Sequence, residues 1–518
     1  VADMLAAADH LRPVNMAQRN VVGRGEVLRR KGIQCADVNV ADGIAFAGAD
    51  GGQMAAGNDG QRPIAAQRAG LLILLLIIVA DGVQQLLLFS IPIMLGELLQ
   101  NLYNSVDALM VGKFVGKEAL AAVSICVGPS DLMIGFFNGM SVGSSVVVAH
   151  AFGLHNRDKL LRTIRVSYTF SVLFGVSMAI LGILCSPLML QAAGAQAAVF
   201  DTALSYLRIY LSGLLFTVIY NISAGILRAV GDSNTPFRIL TISCCLNILL
   251  DVLFVKLLNV GVIGAAMATV FSQLCSVILI YRRLCQFSSD FRISFREMRD
   301  HLEIVWKVIS IGIPSGLQSA MIAISNLFVW RYINSFGTDA SAGIGVAMRL
   351  DRFALMPCKA FGMSLTTFVG QNVGAKQYQR SRSGILCSLG LAASFTILLG
   401  GGIYIFAAPC VALFNSDPAV VAIGAAMIHT IIPFYLFLDV REILFGVLRG
   451  YGYTQVPMVL SVLGMIVVRQ IFLAVTMPRF HAIELMYICF PVGWVATVLL
   501  LLGYYFRIRK KCVELEEL

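Results

Sequence analysis

Two carboxylates, Asp107 and Asp251, lie inside long apolar stretches of the sequence, where ionisable side chains are costly and usually functional. Asn247 precedes Asp251 by four residues, so a helix would place both side chains on one face. Thr269 follows in the next apolar stretch, and a rise of about 1.5 Å per residue puts Asp107, Asp251 and Thr269 in the outer half of the membrane. These oxygen ligands suit a small cation such as Na⁺. Alternatively, one of the two carboxylates could itself take up and release a proton.

The same residues also have simpler explanations. Asn247 and Asp251 can form an interhelical hydrogen bond with no ion. Asp107 can be an interfacial residue near a helix end, and Thr269 can be a packed hydroxyl bonded to its own backbone. If these residues have only a structural role, neutralising Asp107 and Asp251 should leave the activity of the protein unchanged.

The composition places these residues in a membrane protein. Of the 518 residues, 58% are hydrophobic and 13% are charged, whereas soluble domains have roughly 25% charged residues. A spanning helix needs about 20 apolar residues, so the chain has room for a dozen such helices and for no large soluble domain. The net charge of +10 comes from Lys and Arg in short loops, which argues against a nucleic-acid surface.

We therefore predict an all-α integral membrane protein with twelve transmembrane helices. The apolar segments follow one another regularly from residue 86 to residue 506, at approximately 86–112, 119–151, 164–190, 198–228, 236–257, 260–281, 304–335, 340–373, 382–408, 420–449, 456–477 and 483–506. Residues 1 to about 70 lack this pattern and are rich in Ala, Gly, Asp and Gln, and an apolar run follows at 71–80. We treat 1–84 as one N-terminal extension, and we expect it either to be disordered or to precede a true start of the protein near 71–80.

An internal repeat divides the chain into two halves. The pattern Leu-Arg-x-x-Gly-x-x-x-x-Pro at 227–236 recurs at 448–457, and the same offset joins Gly153 to Gly374. We predict an N-lobe (85–281) and a C-lobe (304–507) of six helices each, joined by a cytoplasmic linker (282–303) and followed by a cytoplasmic tail (508–518). An even number of helices in each half keeps the halves parallel, so their pseudo-two-fold axis should follow the membrane normal.

The distribution of basic residues predicts the orientation. Clusters of Lys and Arg follow the second, sixth and eighth apolar segments and also the last one, whereas the loops at 191–201 and 415–419 have none. Basic loops face the cytoplasm. We therefore expect both termini in the cytoplasm and a multi-pass location in the inner (plasma) membrane of the cell.

The second half does not repeat the oxygen-rich set, because Val468 and Phe472 stand where Asn247 and Asp251 would recur. We therefore expect ion coupling to be confined to the first half. The second half has its own charged cluster, for which either a structural role or a substrate or coupling role is open: Asp351, Arg352, Lys359, Asp439, Arg441, Glu442 and Arg469. We expect Arg469 to form a structural ion pair with Asp439 or Glu442.

Several strings, in order along residues 85–508, resemble bacterial transporters of the MATE (multidrug and toxic compound extrusion) family. They are SIPIMLGELLQNLYNSVDALMVG at 90–112, LRAVGDSNTP at 227–236, LNILLD at 246–251, GAAMAT at 264–269 and FVGQNVGA at 368–375. The resemblance implies that the cation or proton site of this family maps onto Asp107, Asn247, Asp251 and Thr269, with Gln100 beside it. We take Gln100, Asn104, Asn221 and Gln273 as candidate substrate-lining residues.

The resemblance also implies a function: a secondary multidrug transporter that exports small organic cations in exchange for Na⁺ or H⁺. We expect no cofactor, and we expect the protein to act as a monomer. The alternative is a lipid-linked oligosaccharide flippase of the same superfamily, for which we expect more helices and a cationic central cavity. An enzyme is disfavoured because no catalytic or metal-ligand motif is recognisable. No Gly-rich string continues into Gly-Lys-Ser/Thr, which argues against an ATP-driven pump.

Overall fold

The structure is a computed structural model that describes residues 64–195, 197–287 and 291–514. Among these residues, 64–85 belong to one unit of the chain and 86–514 belong to a second, compact unit. Disorder is expected for residues 1–84, and residues 1–63 of that range lie outside the described residues. Residues 64–85 belong to a helix.

The first half of the chain forms seven helices before the linker. They are α1 (Ile64–Phe114), α2 (Lys117–Gly153), α3 (Arg157–Ala192), α4 (Ala197–Ser212), α5 (Leu214–Ala229), α6 (Asn234–Asp251) and α7 (Val262–Cys285). A π-helical stretch, Val252–Leu257, continues α6 without a break.

The second half begins with a short helix in the linker, α8 (Phe295–Asp300). It continues with α9 (Leu302–Asn334), α10 (Thr338–Ala354), α11 (Met356–Gly374), α12 (Tyr378–Ile405), α13 (Ala407–Ala412), α14 (Pro418–Ile431), α15 (Tyr435–Gly450), α16 (Gln455–Val462), α17 (Arg469–Phe480) and α18 (Glu484–Glu514). A 3₁₀ turn joins α14 to α15, and a π-helical stretch, Leu463–Val468, joins α16 to α17.

Twelve helical spans in the described part of the chain are long and apolar enough to cross a membrane. Four of them consist of two α-helices in series: α4 with α5, α10 with α11, α14 with α15 through the 3₁₀ turn, and α16 with α17 through the π-helical stretch. The break between α4 and α5 falls at Gly213, where Ser212 and Leu214 belong to different helices. The predicted all-helical fold with twelve spans is confirmed.

Buried apolar side chains form one large core in each half. The first core runs from Val111 to Ile311, and the second runs from Val329 to Trp494. The helix α9 contributes to both, because Val305, Val308 and Ile311 belong to the first core while its other end belongs to the second. This is the two-lobed arrangement that the repeat predicts.

The repeat is also visible in the backbone torsion angles. Gly116 and Gly337 begin equivalent turns with φ of 120° and 97°, and Gly231 and Gly452 do so with φ of 94° and 85°. Both pairs have the offset of the sequence repeat. Positive φ is cheap only for glycine, so the two halves use the same residue type to make the same turns before α2 and α10 and after α5 and α15.

Candidate functional site

The carboxylate of Asp251 lies at the junction between α6 and the π-helical stretch that follows it. Its side chain is 0% exposed, and that of Asn247, one turn earlier, is 1% exposed. Thr269 lies on α7, which packs against α6, and is 1% exposed. Because π-helical segments often occur at functional sites, the local backbone supports a functional role for this end of α6.

The polar atoms of these residues are buried without hydrogen-bond partners. Both carboxylate oxygens of Asp251, both polar atoms of the Asn247 amide and Oδ1 of Asp107 are unpaired among the described residues. Each buried polar atom without a partner costs about 1–3 kcal/mol, and most native structures contain few of them. Several in one place therefore fit a site that binds a cation or protons, since either would satisfy the carboxylate oxygens.

Tyr103 connects the two sides of this cluster. Its hydroxyl donates a hydrogen bond to Oγ1 of Thr269 at 3.2 Å, and it lies within electrostatic range of Asp107 and Asp251. Tyr103 precedes Asp107 by four residues on α1, so one helical turn separates them. The sequence contains that spacing, but we did not predict a role for Tyr103.

A second tyrosine, Tyr206 on α4, also belongs to the cluster. It is 5% exposed, interacts electrostatically with Asp107 and Tyr103, and its ring stacks on that of Tyr210 with 6.1 Å between centroids. No spacing in the sequence links Tyr206 to Asp107, because α4 reaches α1 only through tertiary packing.

A small cavity inside the first lobe adjoins this cluster. Its volume is about 80 Å³, which holds a few water molecules. Three of the four predicted substrate-lining residues line it together with Asn247 and Tyr103, namely Gln100, Asn221 and Gln273. The side chain of the fourth, Asn104, lies outside the described residues. Asn247 and Tyr103 therefore face both the cavity and the carboxylate cluster.

The described residues contain no set of three or more His, Cys, Asp or Glu side chains that could hold a metal ion. The acidic cluster has only Asp107 and Asp251 as charged ligands. Its remaining oxygens come from Asn247 and Thr269, and such oxygen ligands suit a hard cation better than a metal ion that prefers sulfur or imidazole ligands.

The predicted ion pair of Arg469 with Asp439 or Glu442 is wrong. Arg469 is 1% exposed and donates from Nη2 to Ser325 Oγ at 2.6 Å and to Asn326 Oδ1 at 3.0 Å. Its guanidinium also lies 5.5 Å from the centroid of the Phe490 ring. The partners come from α9 and α18, two helices whose contact with α17 the sequence repeat does not reveal.

The other charged residues of the predicted cluster have partners within the second lobe, although Oδ2 of Asp439 and Nε of Arg441 have no hydrogen-bond partner among the described residues. Glu442 pairs with the adjacent Arg441 at 2.7 Å, and Asp439 accepts a hydrogen bond from Thr396 at 3.0 Å. Asp351 accepts a hydrogen bond from the hydroxyl of Tyr435. Arg352 and Lys359, seven residues apart on α10 and α11, are both exposed. The predicted cluster is thus brought together in one lobe. Asp351 interacts electrostatically with Lys359, Arg352 and Arg441, and Glu442 interacts with Lys359 and Arg441.

The comparisons with known proteins agree with this architecture. A family model described as MatE matches residues 92–253 and 314–475, which are the two repeated halves. The chain is 27% identical over 437 residues to "Probable multidrug resistance protein YoeA" of Bacillus subtilis (strain 168), and the match covers 82% of this chain and 93% of that protein. It is 26% identical over 391 residues to "Probable multidrug resistance protein NorM" of Thermotoga maritima, and that match covers 73% and 82%.

A solved structure described as MATE in the bent conformation has the same fold. It superimposes with a TM-score of 0.78 at 23% identity and covers 86% of this chain and 99% of that one.

Proposed function

The chain belongs to the MatE family of transporters, and we propose that it is a secondary antiporter that exports small organic cations in exchange for Na⁺ or H⁺. The observation that carries this proposal is the set of unpaired oxygens on Asp107, Asn247 and Asp251. A scaffold role would pair these atoms with one another or with neighbouring side chains. Multidrug resistance is the activity named for the relatives from Bacillus subtilis and Thermotoga maritima.

The proposed mechanism is competition between the coupling ion and the substrate. Na⁺ or H⁺ binds the carboxylates of Asp107 and Asp251 and neutralises them, whereas an organic cation needs them as counter-charges. The coupling ion therefore favours one arrangement of the lobes and the organic cation favours the other, and the ion gradient drives the exchange. Tyr103, which bonds Thr269 and lines the cavity, would transmit the change between the ion site and the substrate cavity.

We further propose that the basic loops face the cytoplasm, with both termini inside and the protein in the plasma membrane. The lobes would comprise 85–281 and 304–507, with 282–303 as the cytoplasmic linker and 508–518 as the tail. The chain would act as a monomer and without a cofactor. A flippase is the weaker alternative, because we expect that class to have more than twelve spans.

The test is transport in proteoliposomes. Efflux of a fluorescent organic cation is followed under an imposed Na⁺ or H⁺ gradient for the parent protein and for Asp251→Asn. We expect one gradient to drive efflux and the substitution to abolish it. Asp201→Asn is the matched control, because it neutralises an exposed carboxylate of the same lobe and should leave efflux unchanged. Efflux that is indifferent to Asp251 would remove the ion-site assignment and favour the flippase.

A further inference from the structure

The two lobes touch through the last turns of α2 and α11. We call this side of the molecule the basic end, because the Lys- and Arg-rich loops after α2 and α11 lie there. Gly153 and Gly374 end these helices and are equivalent in the repeat. A Cβ on Gly153 would lie 2.1 Å from the carbonyl oxygen of Gln371, and a Cβ on Gly374 would lie 2.3 Å from that of His150. The two backbones are therefore in direct contact, and only glycine permits it.

Two hydrogen bonds cross between the lobes at the same level. His150 Nε2 lies 2.7 Å from the carbonyl oxygen of Gly450, and Gln371 Nε2 donates to the carbonyl oxygen of Ala229 at 2.8 Å. Since a carbonyl oxygen can only accept, the histidine carries its proton on Nε2.

These two bonds are equivalent under the internal repeat. The offset that relates Gly153 to Gly374 also relates His150 to Gln371 and Ala229 to Gly450. In each bond the side chain comes from one lobe and the carbonyl from the other. One contact thus occurs twice, on both sides of the pseudo-two-fold axis, although the two donor side chains differ in type.

Both acceptors are carbonyls at helix ends. Ala229 is the last residue of α5 and Gly450 the last residue of α15, and the final carbonyls of a helix have no partner within it. The amides that follow each helix end bond to other carbonyls, those of residues 226–228 and 447–449. The inter-lobe side chains therefore satisfy two backbone groups that the lobes themselves leave open.

The contact between the lobes does not extend to the opposite end of α2. Along one face of α2, Gly143 and Gly139 press against the backbone of α9, and Gly135 lies in ordinary contact with Ser319. Gly128, two turns further along the same face, has no heavy atom within 4 Å of its missing Cβ. The two lobes are thus in backbone contact at the end of α2 where the two hydrogen bonds lie, and no such close contact is present at Gly128.

We propose that His150 and Gln371 are positioning residues of the transport cycle, a symmetric pair of latches that sets the equilibrium between the two access states. This inference rests on the proposed function, in which the lobes rock about the path between them. Opening of the basic end must break both bonds, and water then takes their place. A net hydrogen bond of ordinary strength corresponds to a change of about fivefold in that equilibrium.

The experiment is hydrogen–deuterium exchange, read by mass spectrometry on the full-length protein with neither drug nor ion gradient. The variants are His150→Ala, Gln371→Ala, the double variant and His150→Gln. The single alanine variants should each speed exchange about fivefold in peptides 148–158 and 369–380, and the double variant more. Exchange in peptide 122–130, at the opposite end of α2, should slow, because rocking that opens one end closes the other. His150→Gln should behave like the parent, since glutamine already makes the equivalent bond at 371.

Asn372→Ala is the matched control. The Asn372 amide donates to Phe368 within α11 at 2.7 Å, so its loss removes a bond of the same kind that does not cross between lobes. Parent-like exchange in both alanine variants would overturn the latch, as would faster exchange at the basic end with no slowing at 122–130. Because exchange reports lobe opening directly, these outcomes are independent of whether an organic cation is the substrate.

Discussion

The crossing of α2 and α9 depends on Gly139, which makes Gly139→Ala a quantitative test of the lobe interface. A Cβ at this position would lie 2.1 Å from the backbone nitrogen of Gly316 and 2.3 Å from its Cα. Real Cβ contacts are essentially never shorter than 3.0 Å, and backbone atoms of a helix cannot move aside as a flexible side chain can. The two helices must therefore separate by about 1 Å.

That separation weakens the packing along the whole crossing. Forcing an extra methyl group into a tightly packed contact costs about 1–3 kcal/mol, and we expect the upper part of this range because the clash is with backbone. For a chain of 518 residues this corresponds to a fall of about 3 °C in Tm. The assay is thermal unfolding in detergent, followed by intrinsic fluorescence of the tryptophans.

The control is Gly128→Ala on the same face of the same helix. No heavy atom lies within 4 Å of its missing Cβ, and alanine is a better helix former than glycine, so its Tm should be equal to that of the parent or slightly higher. If Gly139→Ala and Gly128→Ala unfold at the same temperature, the close approach of α2 and α9 is refuted.

Two further substitutions test individual side chains. Tyr103→Phe keeps the ring but removes the hydrogen bond to Thr269. The coupling-ion concentration for half-maximal efflux should therefore rise severalfold, by about the net strength of one hydrogen bond, while Tm stays within a degree or two of the parent. An unchanged dependence of efflux on the ion would exclude Tyr103 from the site. Arg469→Met removes a buried cation whose hydrogen-bond partners are the neutral side chains of Ser325 and Asn326. Burial of a charge without a counter-charge is costly, so thermal unfolding should show no loss in Tm. A fall of more than about 3 °C would mean that the lost hydrogen bonds outweigh the desolvation of the guanidinium.

Much of the architecture could be predicted from local sequence patterns. The length and regular spacing of the apolar segments indicate twelve spans, because a helix must be about 20 residues long to cross the hydrocarbon layer. The internal repeat indicates two lobes, because one constant offset recurs at the glycines that begin or end equivalent turns. Those glycines include Gly231 and Gly452, whose positive φ angles explain why the residue type is repeated.

Only part of the candidate ion site could be predicted from the sequence. Asn247 and Asp251 could be placed together because a spacing of four residues fixes their common face. That their polar atoms are left without partners depends on what α1 and α7 bring to them, and no spacing within α6 contains this information. Tyr206 illustrates the limit, since its approach to Asp107 arises from helix packing alone.

The sequence by itself determined that this chain spans a membrane twelve times as two repeated halves with carboxylates in the first, because hydrophobic length, periodicity and repeats are properties of neighbouring residues. Only the tertiary structure decided which buried groups are paired. Arg469 bonds Ser325 and Asn326 on α9 and not an acidic partner, and His150 reaches Gly450 across the lobe interface. The partners of such pairs are far apart in the chain, and their geometry is set by how helices pack, to which every residue of the interface contributes.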